Sequence, residues 1–190
     1  MTASDRAKWE TRWQRRHLER GSPEPFVVRH LAGGEGGAVL DVAAGNGRNA
    51  LWLAQAGYAV TAIDISATAV AALQRAAAAR ELTLATRVAD LDVAPALDGL
   101  GPFDAVVITC YRPAPGSWSA LAGALRPGGR LLLCSFGRTQ HERHGFPLAF
   151  CLDRGEIEAE IGDLLRLQAW SSQQDGDRHL EWAVWLKSGA

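Results

Sequence analysis

VLDVAAGNGRNALWLAQAGYAVTAIDIS, residues 39–66, is the stretch from which the fold is read. Ala38 to Val42 is a short apolar strand, and Asp41 is its only charged residue. A glycine-bearing turn follows, then a helix over Asn46 to Ala56 with Gly57 where a helix C-terminus favours a left-handed residue. A second strand, Tyr58 to Ile63, ends beside an acid, Asp64. Strand, glycine turn, helix, strand and acid together form the unit with which a chain holds a nucleoside-containing cofactor.

The same rhythm continues outward. Ser66 can cap a helix over Ala67 to Arg80. Leu84 to Val88, Phe103 to Thr109 and Arg130 to Phe136 read as strands. Ser117 to Leu125 reads as a helix stopped by Pro127-Gly128-Gly129, and Asp153 with Glu156 forms a capping box for a helix over Asp153 to Leu165. Leu167 to Ser171 and Leu180 to Lys187 flank the turn signal Gln174-Asp175-Gly176-Asp177. Strands alternating with helices predict an α/β fold: a Rossmann-like, doubly wound sheet of about seven strands, parallel except for a C-terminal antiparallel hairpin. In such a sheet the ligand sits beyond the carboxyl ends of the strands, beside the first. That places residues 41–48, Asp64, residues 90–92 and residues 109–113 around one cleft.

Before this unit, residues 5–20 are charged but carry Trp9, Trp13 and Leu18. The two tryptophans, four residues apart, give one helical face apolar character. Phe26 to Leu31 suits a short helix. The whole chain, 1–190, is expected to form one domain, with 1–32 as a helical cap over the cleft. A net charge of −1 offers no general attraction for nucleic acid. The N-terminus lacks the apolar stretch of a signal peptide, and no run approaches the ~18 apolar residues of a membrane span. Cys110, Cys134 and Cys151 have neither metal-ligand spacing nor a CxxC pair, so no metal site is expected and a cytoplasmic setting with reduced thiols is.

Gly45 to Ala50 fits GxGxxA, and Asp64 lies where a ribose-binding acid is expected for NAD. Both features serve any adenosine cofactor. Asp41 discriminates. A pyrophosphate at this helix N-terminus would be repelled by it, whereas S-adenosyl-L-methionine brings an ammonium and a sulfonium. Ala43 and Ala44 also lengthen the turn beyond the dinucleotide form, and 190 residues leave little room for a dehydrogenase's substrate-holding portion.

VLDVAAGNGRN resembles the first motif of class I S-adenosylmethionine-dependent methyltransferases, with Ala43 standing where many members have glycine. VTAIDIS resembles their second motif and VADLD their adenine-binding region. PFDAVVITCYRP and LRPGGRLLLCSF resemble their fourth strand and the turn into the fifth. KWETRWQRR and FCLDRGEIEAEI resemble the tellurite-resistance and thiopurine methyltransferase-like branch. The resemblance implies methyl transfer to a small-molecule, soft nucleophile such as a thiol or chalcogen oxyanion. No nucleic-acid or membrane partner is expected, and a monomer or homodimer is. A non-catalytic S-adenosylmethionine sensor and, further off, a small NAD-binding oxidoreductase are the alternatives.

On this reading Gly45 and Gly47 admit the methionine end of the cofactor, Asp41 attracts its ammonium, and Asp64 holds the ribose hydroxyls. Ile65, Asp90 and Leu91 border adenine, with Asp92 an alternative to Asp90. Thr109 lies under the reactive centre, and Trp13 or Arg12 touches the cofactor from the cap. Arg48 is left open between the cofactor carboxylate and Asp41. Tyr111, Arg112 and His141 are the candidates for the acceptor end, His141 lying in a mobile loop, GRTQHERHG. Cys110 is expected to be a small buried filler.

Overall fold

β1 (Gly37–Val42) is the strand on which the sheet is laid out. Val39, Leu40, Asp41 and Val42 are all fully buried, because helices cover both faces of the strand. It pairs in parallel with β2 (Tyr58–Asp64) on one side and β4 (Phe103–Thr109) on the other. β3 (Ala85–Val88) joins β2, and β5 (Leu125–Phe136) joins β4. β7 (Arg178–Lys187) runs antiparallel to β5 and to the edge strand β6 (Leu165–Asp175). The order is β3-β2-β1-β4-β5-β7-β6, so the chain reverses direction across the sheet between β1 and β4. A crevice opens at such a reversal. The computed structural model describes residues 3–15, 21–34, 36–93 and 96–189.

Period-two alternation sends side chains into two layers. Val39, Val60, Val107 and Leu132 meet α2 (Pro25–Leu31), α3 (Arg48–Gln55) and α4 (Ala67–Ala78) through Phe26, Leu53 and Leu73. Leu40, Ile63, Ile108 and Leu133 meet α5 (Ser117–Gly123) and α7 (Arg154–Ile161) through Leu121 and Ile157. The Ser66 hydroxyl accepts the Ala69 N–H at 3.1 Å and so caps α4. Asp153 accepts the Glu156 N–H at 3.1 Å at the start of α7. Both caps match the expectation from sequence.

Three expectations change. GRTQHERHG is not a loop: Arg138–His144 is a helix, α6, closed by Gly145 at φ 63°. Its buried Gln140 accepts the His179 N–H at 2.6 Å, which ties α6 to the sheet. β5 begins at Leu125 rather than Arg130. Phe103 pairs with Leu125 and Ala105 with Arg130, so Pro127-Gly128-Gly129 bulges within the strand instead of preceding it. α7 stops at Ile161, and Leu165, buried, already opens β6 opposite Lys187. The hairpin is correspondingly longer than its apolar runs suggested.

α1 (Ala3–Arg15) packs on α4 and belongs to neither core layer. Leu18, with residues 16–20 of the expected cap, lies outside the described residues.

Gly47 fixes the fit of α3 on α4. It has φ 85°, and a Cβ there would overlap the Leu73 side chain. Gly47→Ala therefore adds left-handed strain to a core clash, and should destabilise the protein by about 1–3 kcal/mol in denaturant unfolding.

Candidate active site

The turn after β1 is built from left-handed residues. Ala43 has φ 55°, Gly45 φ 56° and Gly47 φ 85°. An alanine in this region carries Cβ strain that glycine would not. The turn is pinned to the neighbouring strand: the Ala44 N–H donates to the Ile63 carbonyl at 2.9 Å and the Gly45 N–H to Asp64 Oδ2 at 2.8 Å. Asp64 Oδ1 accepts the Ser66 N–H at 2.9 Å. Asp64 thus holds the Gly45 and Ser66 amides on separate oxygens, with the Ile65 amide also close to it. Burial pushes its carboxyl up, and the Ser66 and Gly45 amides oppose that rise.

Asp41 lies behind this turn, fully buried, and neither of its oxygens makes a hydrogen bond of normal geometry, although the Ala50 amide lies near it. Burial pushes its carboxyl up to about 7, with the Arg48 guanidinium and the Ala50 amide pulling down and the Asp64 charge pushing further up. An orphaned, buried acid at a ligand-binding turn is costly in the free protein and suits a cationic ligand. The residues present therefore fit an ammonium-bearing cofactor and disfavour a pyrophosphate.

α1 closes over the turn. Glu10 accepts the Ser66 hydroxyl at 2.6 Å and also takes the Thr68 hydroxyl, which together hold its carboxyl below the usual range. The Trp13 ring lies on Gly45, where a Cβ would come within 2.6 Å of Cζ2. A hollow of about 290 Å³ separates Arg6 of α1 from Asp90 and Val93 after β3. Leu91 is buried in the core layer beside Ile63, and Ile65 is buried as well. Asp92 accepts the Tyr111 hydroxyl at 2.8 Å and the Ala114 N–H at 3.1 Å, which gives it a protein role distinct from that of Asp90. A larger hollow, about 350 Å³, lies beside the start of β6 and the end of β7, at the opposite end of the strands from the turn.

At the end of β4, Thr109 Oγ1 accepts Asn49 Nδ2 at 2.9 Å. Cys110 corrects an expectation: it is exposed rather than a buried filler, and stands at φ 54°. The left-handed turn lifts its side chain off the sheet, while Cys134 behind it is buried and its thiol is pushed up to about 12, mainly by burial. Arg48 Nη2 approaches Cys110 Sγ at 3.5 Å and Glu24 Oε2 at 2.9 Å. Arg178 Nη1 reaches the same Glu24 oxygen at 3.3 Å.

The acceptor-end candidates each hold a protein partner. Burial and the Asp92 charge raise the Tyr111 hydroxyl, so it stays protonated and donates to Asp92. Arg112 bonds the Ala149 carbonyl at 2.9 Å and pairs with Glu156 of α7. His141 Nδ1 lies 2.7 Å from the Phe146 carbonyl, which can only accept, so that nitrogen carries the proton. Sequence reasoning missed Glu24, Asn49 and Arg178. Arg178 lies 154 residues from Glu24, and no local pattern announces their meeting. Among the described residues no group of three potential metal ligands occurs, and no helix is long and apolar enough to cross a membrane.

Residues 39–129 match the methyltransferase-domain family. Hemagglutinin 1 of Eikenella corrodens is 31% identical over 127 residues, which are 65% of this chain and 42% of that protein. This chain thus spans less than half the length of that relative. A structure solved for the conversion of a disulfide bond into a thioacetal group during echinomycin biosynthesis is 26% identical. It covers 90% of this chain and 84% of its own, with a TM-score of 0.70. TehB from Haemophilus influenzae, 19% identical, shares the fold with a TM-score of 0.71 over 87% of this chain and 62% of its own. Further structures of this fold hold S-adenosylmethionine or S-adenosylhomocysteine.

The Asp41 carboxyl titrates higher in the folded chain than in the unfolded one. The folded chain therefore holds an extra proton between about pH 4 and 7, and Asp41 costs stability progressively as pH rises through that window. Asp41→Asn, which cannot ionise, should gain on the wild type between pH 5 and pH 8 by on the order of a few kcal/mol in chemical denaturation of the free protein. A difference that does not move with pH would mean that Asp41 is not the buried acid described.

Proposed function

We propose that the chain is a class I S-adenosylmethionine-dependent methyltransferase, a reading supported by its methyltransferase-domain match over residues 39–129, and that it methylates a small-molecule nucleophile of soft character, a thiol or reduced chalcogen. The observation that carries the cofactor reading is Asp41: an acid fully buried at the glycine turn, with neither oxygen in a hydrogen bond of normal geometry. The cofactor, when bound, supplies a methyl group on a sulfonium with a neutral leaving group.

The chain's own residues then have the following tasks. Asp41 attracts the ammonium, directly or through water, and becomes ionised in doing so. Ala43, Gly45 and Gly47 bring backbone close to the methionine end. Asp64 takes the ribose hydroxyls. Ile65, Asp90 and Leu91 border the adenine. Thr109, oriented by Asn49, supports the reactive centre. Trp13, on α1, covers the turn at Gly45. Tyr111, Arg112 and His141, each fixed by its partner, shape the acceptor end and hold it dry.

A preionised soft acceptor needs no general base, and nothing here asks Tyr111 to provide one. Positioning and exclusion of water are then the chain's main contributions. The disulfide-to-thioacetal conversion named for the echinomycin neighbour supports a soft acceptor. The near-neutral charge supports a small molecule over nucleic acid.

Calorimetric titration tests the cofactor. S-adenosylhomocysteine should bind and NAD should not, and Asp64→Ala should weaken binding at least about 10-fold through its lost hydrogen bonds. Below pH 7 the affinity should fall, by up to about 10-fold per pH unit, because Asp41 must give up its proton to meet the ammonium. NAD binding, or an affinity indifferent to pH and to Asp64, would remove the basis of the proposal.

A further inference from the structure

β6 closes the sheet on one side and, among the described residues, pairs with β7 alone. It runs 11 residues, LRLQAWSSQQD, with no proline and no lysine. The outward amides and carbonyls of an edge strand recruit further strands, so chains usually keep such a strand short or place proline or lysine on it. β3, at the other edge, has only 4 residues. β6 has no such protection. Its middle, Ala169 to Gln173, carries no charge, and Ser171 and Ser172 are exposed. Its charged residues, Arg166 and Asp175, stand near its two ends with opposite sign.

These two charges fit a second copy of the same strand. A strand paired antiparallel with its copy about a two-fold axis perpendicular to the sheet keeps each side chain on its own face, so residues that meet must share a face. Arg166 and Asp175 are an odd number of positions apart, and in a regular strand they would point to opposite faces. The bulge between Leu167 and Ala169 takes up the extra residue. Arg166 lies opposite Leu186 and Asp175 opposite Arg178, two positions of β7 that are an even number apart, so both charges share one face. An axis through Ser171 sets Ser171 against itself, Trp170 against Ser172 and, past the bulge, Arg166 against Asp175 at both ends. Moving the axis by one residue in either direction separates the charges. Asp175 engages Arg178 through Oδ2, which leaves Oδ1 for Arg166 of the second copy. Gly176 of the second copy falls opposite Leu165, at the rim of the hollow of about 350 Å³, where Leu164 is nearly half exposed.

We propose that two copies of the chain join edge to edge through β6, antiparallel, with Ser171 on the two-fold axis and Arg166 of each copy paired with Asp175 of the other. The two sheets then form one. β6 lies at the far end of the strand order from β1, so the glycine turn stays clear of the interface and the inference does not depend on the methyl-transfer reading.

Sedimentation of the full chain over a concentration series should give twice the 20.4 kDa of one chain. Arg166→Glu sets like charges opposite each other at both ends, and should raise the dimer dissociation constant about 10-fold because it acts twice. Adding Asp175→Arg should recover most of that loss, a rescue that a merely local contact would not give. Ser171→Cys brings two thiols together across the axis, so mild oxidation should yield a covalent dimer that reductant reverses. Gln173→Cys, displaced from its copy by about 13 Å along the strands, should cross-link no more than the wild type, whose exposed Cys110 sets the background. Should the charge variants fail to fold, the Ser171→Cys cross-link decides. A chain that stays at 20.4 kDa overturns the proposal. So does a dimer that does not cross-link at position 171, a dimer unmoved by Arg166→Glu, or growth into open-ended oligomers.

Discussion

The clamp of Asp64 on the Gly45 amide organises the cleft. The chain must leave β1 and enter α3 within a few residues, and it does so through left-handed backbone at Ala43, Gly45 and Gly47. Such a turn has little stability of its own. It is held because Asp64, at the end of the adjacent parallel strand, accepts one amide from the turn and another from the start of α4. One carboxylate thereby sets the mutual position of β1, β2, α3 and α4. The same carboxylate lies at the carboxyl edge of the sheet, beside the turn that it stabilises.

Asp41 works in the opposite sense. It contributes nothing to the free fold, since its oxygens are buried without a hydrogen bond of normal geometry and burial drives it towards the protonated form. A hydrophobic residue there would pack better. An opposite charge brought beside it would restore the ionised form and repay part of the desolvation. The turn thus pairs a carboxylate satisfied by protein amides with one that the protein leaves unsatisfied. Local strain and unpaired polar groups concentrate at functional sites for this reason.

This division also explains what the sequence disclosed. The sheet, its hairpin and the turn were legible because they follow from local pattern: apolar runs at period two, glycines at left-handed positions, and acids at strand ends. Asp41 to Gly47 and Asp64 lie within one supersecondary unit, so spacing alone brings them together. α6 was misjudged because its polar stretch has little apolar periodicity. What settles it as helix is the terminal Gly145 and the tertiary bond from Gln140 to the sheet. β5 was misjudged because a Pro-Gly-Gly bulge reads as a stop. Cys110 was misjudged because strand burial was extended one residue too far, past the left-handed turn that lifts it out.

The cluster at Glu24 was illegible for a different reason: its geometry is made by contacts distant in sequence. Glu24 precedes the sheet, Arg48 opens α3, and Arg178 opens the last strand. They meet because β7 runs antiparallel to β5, which returns the start of β7 to the same end of the sheet as the tip of β4. The glycine turn is therefore fixed by one contiguous stretch, while the Glu24 cluster is assembled from three. Charges exchanged at Glu24 or Arg178 would leave the turn and its clamp intact, because the clamp is made by Asp64 and the Gly45 amide alone. A sheet of this kind can vary one part of its carboxyl edge without disturbing the other.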